Sequence, residues 1–366
     1  MNDRQDVIVI GGGQAGLAAG YHLARAGARF AILDDRARTG DAWRDRWSTL
    51  RLFTPARHAA LPGQPWDMAG RDYPSRDQVI DYLDGYATRF ALPVTHDARV
   101  LSVTRDPHGF TVTTEDRTWH ARAVIVATGA TSLPRIPALA AELDPRIVQL
   151  HSSAYRDPSG LPEGRVLVVG YGTSGAEIAL ELAQAGREVT IAGKPTPHPP
   201  NAVLAIAGGA WWLVLTRVLT RRTPIGRKVA PHVTAHGAPL IRISPRDVER
   251  AGVRHVGRVS GVADGHPVAD GAAQQVDAVV WCTGYQGDFA WLDVAGLRVD
   301  DRGYPVAPFG LVDGAPGLGF VGMPFQTRLA SPLLGGVGDD AALVVESMLA
   351  GLEARVEPDR GAAAAA

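Results

Sequence analysis

With 366 residues, 46% of them apolar and 20% charged, the chain has material for two ordinary domains with filled cores. A formal net charge of -1 supplies no long-range field for nucleic acid, and no apolar run reaches the roughly 18 residues needed to span a bilayer. Asp3, Arg4 and Asp6 stand where a secretion signal would need an apolar stretch, so a cytoplasmic address is expected, and the lone Cys282 excludes an intramolecular disulfide or a dithiol relay.

The first predicted strand, 7–10, runs straight into Gly11-Gly12-Gly13-Gln14-Ala15-Gly16. A helical pattern (Leu17, Ala18, Tyr21, Leu23, Ala24) follows and stops at Gly27, and a second apolar strand, 30–33, ends on Asp34 and Asp35. Strand, glycine turn, helix and strand closing on an acid make a dinucleotide-binding βαβ unit. Gly11 permits the tight turn, Gly13 lets a pyrophosphate approach the backbone, and Gly16 lets helix and strand pack closely. The phosphates then sit on the helix N-terminus, against Gln14 and Ala15, and Asp34 accepts hydrogen bonds from an adenosine ribose. Further along, the apolar strand 124–126 finishes on Ala127-Thr128-Gly129, as chains do when leaving a sheet beside a cofactor.

The unit then recurs. Strand 166–169 runs into Gly170-Tyr171-Gly172-Thr173-Ser174-Gly175, its helix ends at Gly186, and its closing strand is 189–192. Gly11 to Gly27 and Gly170 to Gly186 are both 16 apart, so the copies align without a gap. Counting 23 residues from each first glycine gives Asp34 in copy one and Gly193 in copy two, followed by Lys194. A carboxylate repels a 2′-phosphate, whereas a small residue followed by a cation accepts one. Copy one is therefore read as the FAD site and copy two as the nicotinamide site with an NADPH preference; NADH use stays open, and Lys194 can also simply face solvent. Strand 279–281 ends on Cys282-Thr283-Gly284, the counterpart of Ala127-Thr128-Gly129. The expected fold is α/β, with two Rossmann-like domains: an NAD(P) domain, 161–284, inserted into an FAD domain formed by 1–160 and 285–366.

Between these units lie Gly40-Asp41-Ala42-Trp43, Arg46-Trp47, Leu50-Arg51-Leu52-Phe53-Thr54-Pro55 and Tyr73-Pro74-Ser75-Arg76, with His151-Ser152-Ser153-Ala154-Tyr155 ahead of the second glycine turn. Gly322-Met323-Pro324-Phe325-Gln326 and Leu333 to Ala341 close the chain. In this order the segments resemble the class B flavin-dependent monooxygenases, in particular their short bacterial flavin-containing members, over nearly the whole length. Two features depart from that family: Pro145 and Ile147 take the Phe and Gly slots of its fingerprint, and Thr54 stands where many relatives carry an asparagine. The resemblance implies that NADPH reduces FAD, that O₂ adds at C4a, and that one oxygen atom passes to a small soft nucleophile (sulfur or nitrogen) or a ketone. It also places Gly40, Trp43, Phe53, Thr54, Val100 and Asp340 among the cofactor contacts and Thr54 and Gln326 near the reacting atoms. Asp340 can equally be the N-cap of the last helix.

Two other readings stay open: an NAD(P)H oxidase or quinone-type reductase, and a flavin-bound redox sensor. His151 is an acid–base candidate or, as the favoured reading, a brace of the interdomain linker with Tyr155 beside it. The apolar run 202–215, with Trp211-Trp212 and a basic flank to 228, can pack on the sheet, cover a substrate channel or lie on a membrane surface. The expected partners are a small-molecule substrate and O₂, with no metal and no nucleic acid; the sequence does not fix the oligomeric state.

Overall fold

The computed structural model describes residues 4–198, 209–235 and 239–354. Strand β1 (Gln5–Ile10) pairs in parallel with β2 (Phe30–Leu33) on one side and β6 (Thr118–Val126) on the other. Successive side chains of a strand face opposite ways, so Val7 and Val9 enter one core while Ile8 and Ile10 enter another. The first core is filled by α1 (Gln14–Arg25), by α3 (Arg76–Arg89), which follows the single-turn α2 (Asp41–Arg44), and by the long C-terminal helix Leu334–Glu353. β3 (Val94–Thr95) extends the sheet beyond β2, and β4 (Val100–Asp106) and β5 (Gly109–Thr114) form an antiparallel meander on β6.

A second, wholly parallel sheet has the order β11 (Arg254–Val256), β10 (Glu188–Ala192), β9 (Arg165–Val169), β15 (Ala278–Trp281), β8 (Val148–His151). The same alternation sends Val166 and Val168 to one core, with α4 (Thr173–Gln184), and Leu167 and Val169 to the other. That other core is covered by the meander β12 (Val259–Ala263), β13 (His266–Ala269), β14 (Ala272–Ala273). β8 lies upstream of residue 161, so this sheet takes its edge strand from the stretch expected to belong to the first domain. After β15 the chain returns to the first sheet, where β17 (Leu292–Asp293) pairs with β4 and β18 (Leu318–Phe320) with β6. The two passages between the sheets run side by side as a short antiparallel ribbon of β7 (Leu133–Pro134) and β16 (Tyr285–Gln286).

Candidate functional site

The two glycine turns are built alike. Gly11 has φ +105°, and a Cβ there would stand 2.7 Å from the Ala127 carbonyl oxygen; at Gly16 it would stand 1.8 Å from the Gly11 oxygen. Gly170, φ +110°, would meet the Cys282 oxygen at 2.3 Å, and Gly175 the Gly170 oxygen at 1.8 Å. These four positions admit no side chain. Gly13 and Gly172, by contrast, face open space, with nothing within 4 Å of a Cβ. α1 and α4 start on those two residues without a side-chain cap and without an acid in the first turn. Their leading N–H groups and helix dipoles are thus presented to open cradles, which fits a pyrophosphate at each. Gln14 and Ala15 open α1, with the Gln14 amide donating to the Pro332 carbonyl at 2.8 Å; Thr173 and Ser174 open α4. Thr128 and Gly129 flank the first turn, and Thr283 and Gly284 the second, with Gly129 and Gly284 both at positive φ.

At the end of β2, Asp34 is buried, accepts the Arg36 N–H at 3.3 Å and rises beside Gly12. Burial pushes its carboxyl up to about 6, against the opposing Arg36 hydrogen bond. The Asp34 carbonyl accepts the Ala98 N–H at 2.8 Å, which brings Val100, at the start of β4, to this end of the sheet. Asp35 is exposed and pairs with Arg36 at 3.4 Å. In the second unit the corresponding corner is Gly193, φ +118°, followed by the exposed Lys194, with His255 Nε2 2.7 Å from the Gly193 oxygen. One corner is anionic, the other cationic.

Cys282 packs beneath the second turn, where burial pushes its thiol up to about 12. His151 Nδ1 receives the Ser153 N–H at 3.1 Å, so its Nε2 donates to the Gly284 carbonyl at 3.0 Å. Burial holds its pKa below the usual imidazole range. It is a neutral brace at the domain joint, edge-on to Tyr285, whose hydroxyl accepts from Arg46 at 2.8 Å.

Gly40, φ +85°, caps the turn carrying Trp43, which lies against the first core together with α3. Phe53 is half-buried and Thr54 buried, on a loop tied to the 73–76 segment through Leu52 N–H to the Pro74 carbonyl at 2.8 Å. Gln326 is buried and bonded within its own turn. Its amide donates to the Phe320 carbonyl at 2.8 Å and accepts the Met323 N–H at 3.2 Å, so it holds the 320–326 turn. Asp340 is not an N-cap: the last helix begins at Leu334, and Asp340 lies fully buried in its second turn. One carboxyl oxygen takes the Thr327 hydroxyl and the other has no partner among the described residues; burial pushes its pKa up.

The excursion between β10 and β11 reaches across to the first domain. The Arg221 N–H donates to the Thr327 carbonyl at 2.7 Å and the Leu329 N–H to the Leu219 carbonyl at 3.0 Å. The half-buried Arg221 guanidinium donates to the carbonyls of Phe325, at 2.7 Å, and Gln326, at 3.0 Å. Trp212 stacks on His58 at 5.1 Å and lies over Gly335. Trp212 therefore packs on the first domain and Leu215 is buried, while Leu213 stays exposed; 202–208 and the residues beyond 354 fall outside the described residues. Sequence reasoning missed this clasp and the Arg242–Glu177 ion pair at 2.7 Å, which fastens the 239–243 loop to α4. The acid in the otherwise apolar run Ala176-Glu177-Ile178-Ala179 was the available signal for the second. Among the described residues, no three His, Cys, Asp or Glu side chains gather to hold a metal.

Residues 8–202 match the family model described as pyridine nucleotide-disulphide oxidoreductase. The chain belongs to that family. It is 37% identical to a CzcO-like oxidoreductase of Geobacillus kaustophilus, over 94% of this chain and 98% of the relative. A flavin-containing monooxygenase from Stenotrophomonas maltophilia superposes with TM-score 0.76 at 31% identity, over 95% and 98% of the two chains. An indole-3-pyruvate monooxygenase of Oryza sativa subsp. japonica is 26% identical over 83% of this chain and 79% of the relative. With one cysteine, this member of the family carries no disulphide centre of its own. A flavin and a nicotinamide nucleotide are the pair of cofactors that its two cradles fit.

Proposed function

We propose that the protein is a monooxygenase that holds FAD at the Gly11–Gly16 turn and NADPH at the Gly170–Gly175 turn, and oxygenates a small soft nucleophile or a ketone. The observation that carries this reading is the pair of matching open cradles with opposite charge at their corners, in a chain whose only thiol is buried and raised. When bound, FAD takes a hydride from NADPH and activates O₂. The chain's own part is binding, orientation and exclusion of water. The free N–H groups of α1 and α4 meet the two pyrophosphates, Asp34 takes the adenosine ribose of FAD, and Lys194 takes the 2′-phosphate of NADPH. His151 and the β7–β16 ribbon fix how the two nucleotide sites face each other. The Arg221 clasp fastens the first domain's 325–329 loop to the excursion beside it. Gln326 supports this loop rather than touching the reacting atoms, which leaves Thr54, with no side-chain partner among the described residues, as the polar group offered to a ligand.

The test is rapid mixing. The flavin-loaded protein is reduced anaerobically by NADPH, then mixed with O₂ in the presence of thioether, amine and ketone substrates. A transient absorbance distinct from oxidised flavin, with one ¹⁸O atom from ¹⁸O₂ in the product per NADPH, is expected. Stoichiometric H₂O₂ with every substrate would replace this reading with an oxidase or quinone-type reductase. Failure of both NADPH and NADH to bleach the flavin would leave a redox sensor.

A further inference from the structure

From residue 189 to residue 246 the sequence has no Asp or Glu and eight Lys and Arg side chains; since the whole chain nets -1, the remainder nets -9. The charge is therefore strongly separated, although the total is near zero. Within this stretch the residues from 213 to 228 put aliphatic side chains into solvent: Leu213 is 58% exposed, Ile225 58% and Val218 39%. Exposed cations are interleaved with them. Arg217 follows Leu213 by four positions on one helical turn, and Lys228 follows Ile225 by three on the helix Pro224–Ala235. The backbone beneath is not loose, because the pairing of 219–221 with 327–329 and the Arg221 bonds fasten it to the first domain. Aliphatic tips and cations are thus offered together on a held surface.

A second copy of the chain does not fit this patch, since a two-fold contact would lay cations on cations. A surface of acidic head groups over an acyl boundary satisfies both features at once, the cations meeting phosphates and Leu213 and Ile225 entering the interface. No helix among the described residues is long and apolar enough to cross a membrane, so the contact is peripheral. We propose that residues 213–228 dock the protein on anionic lipid membranes.

The experiment is flotation of the purified full-length protein with vesicles of phosphatidylcholine alone or with about one third phosphatidylglycerol. Binding only to the anionic vesicles, weakening steeply with added salt, is expected. Arg217→Gln, Arg227→Gln and Lys228→Gln together should weaken it about a hundredfold, given the usual contribution of a cation at an acidic surface. Leu213→Gln with Ile225→Gln should weaken it at constant charge. All five positions are solvent-facing, and unchanged flavin content would show that the variants fold. No flotation with anionic vesicles, or flotation that neither variant alters, would overturn the assignment. Retention on an immobilised polyglutamate matrix without vesicle binding would overturn it in favour of an acidic macromolecule.

Discussion

In the proposed flavin site, Asp34 confers a sensitivity to pH whose direction can be worked out. In the ligand-free fold its carboxyl is raised from 3.8 to about 6 by burial. The folded state therefore holds a proton that the unfolded chain has released across that interval. Stability without nucleotide falls as pH rises from 3.8 to about 6, by about 3 kcal/mol in all at 1.36 kcal/mol per unit. A ribose hydroxyl donates more strongly to the carboxylate than to the carbonyl oxygen of the acid form, so FAD favours the ionised protein. Affinity should then be flat above the raised pKa and fall below it, by at most about tenfold per pH unit. Fluorescence quenching of FAD by stripped apoprotein, titrated from about pH 4.5 to pH 8, reads this directly. Asp34→Asn should remove the pH dependence and cost about tenfold to a hundredfold in affinity at neutral pH, the usual range for a charged hydrogen bond. A wild-type affinity that stays constant through pH 5, or an Asp34→Asn protein with the same profile, would refute the reasoning.

The glycines separate folding from binding. Gly16→Ala meets a backbone oxygen at 1.8 Å and should destabilise the fold severely, whereas Gly13→Ala meets nothing within 4 Å. Gly13→Ala should keep the melting temperature of the apoprotein and lose at least about tenfold in FAD affinity, because its methyl fills the space a pyrophosphate needs; retained affinity would move the cradle elsewhere. Lys194→Glu should raise the KM for NADPH by about a hundredfold, through loss of one charge pair and gain of a repulsion, and leave NADH nearly unchanged in steady-state assays. Cys282, with a thiol pushed up to about 12, should resist iodoacetamide at pH 8 in the native protein and react fully once denatured. Cys282→Ser should retain turnover within about twofold, as expected of a thiol with no chemical role.

The nucleotide units were legible because each of their steps leaves a mark in residue type. A turn with φ above +100° writes Gly11 or Gly170, a helix so close that a methyl would stand 1.8 Å from a backbone oxygen writes Gly16 or Gly175, and the corner after the second strand of each unit carries Asp34 or Gly193. Other features leave no such mark. β8 reads as four unremarkable residues, and its place in the second sheet comes from pairing with β15, about 130 positions away. The clasp of 219–221 on 327–329 is made largely of main-chain N–H and C=O groups, which every residue except proline carries in full. The internal bonds of Gln326 were hidden for a different reason. Its side chain is of the kind that contacts cofactors, yet the turn at Phe325, with φ +48°, needed an internal partner for its own polar groups. A signature can name a residue's chemistry without saying which way it faces.

The ribbon of β7 and β16 and the clasp at Arg221 join the same two bodies at separate places. They are not alone: the Thr49 hydroxyl donates to Glu181 on α4 at 2.7 Å, and Trp47 is buried in the same core as Val166 and Val168. The joint is thus shared among separate contacts, and the loss of any one of them, the clasp included, leaves the others to hold the two sheets together.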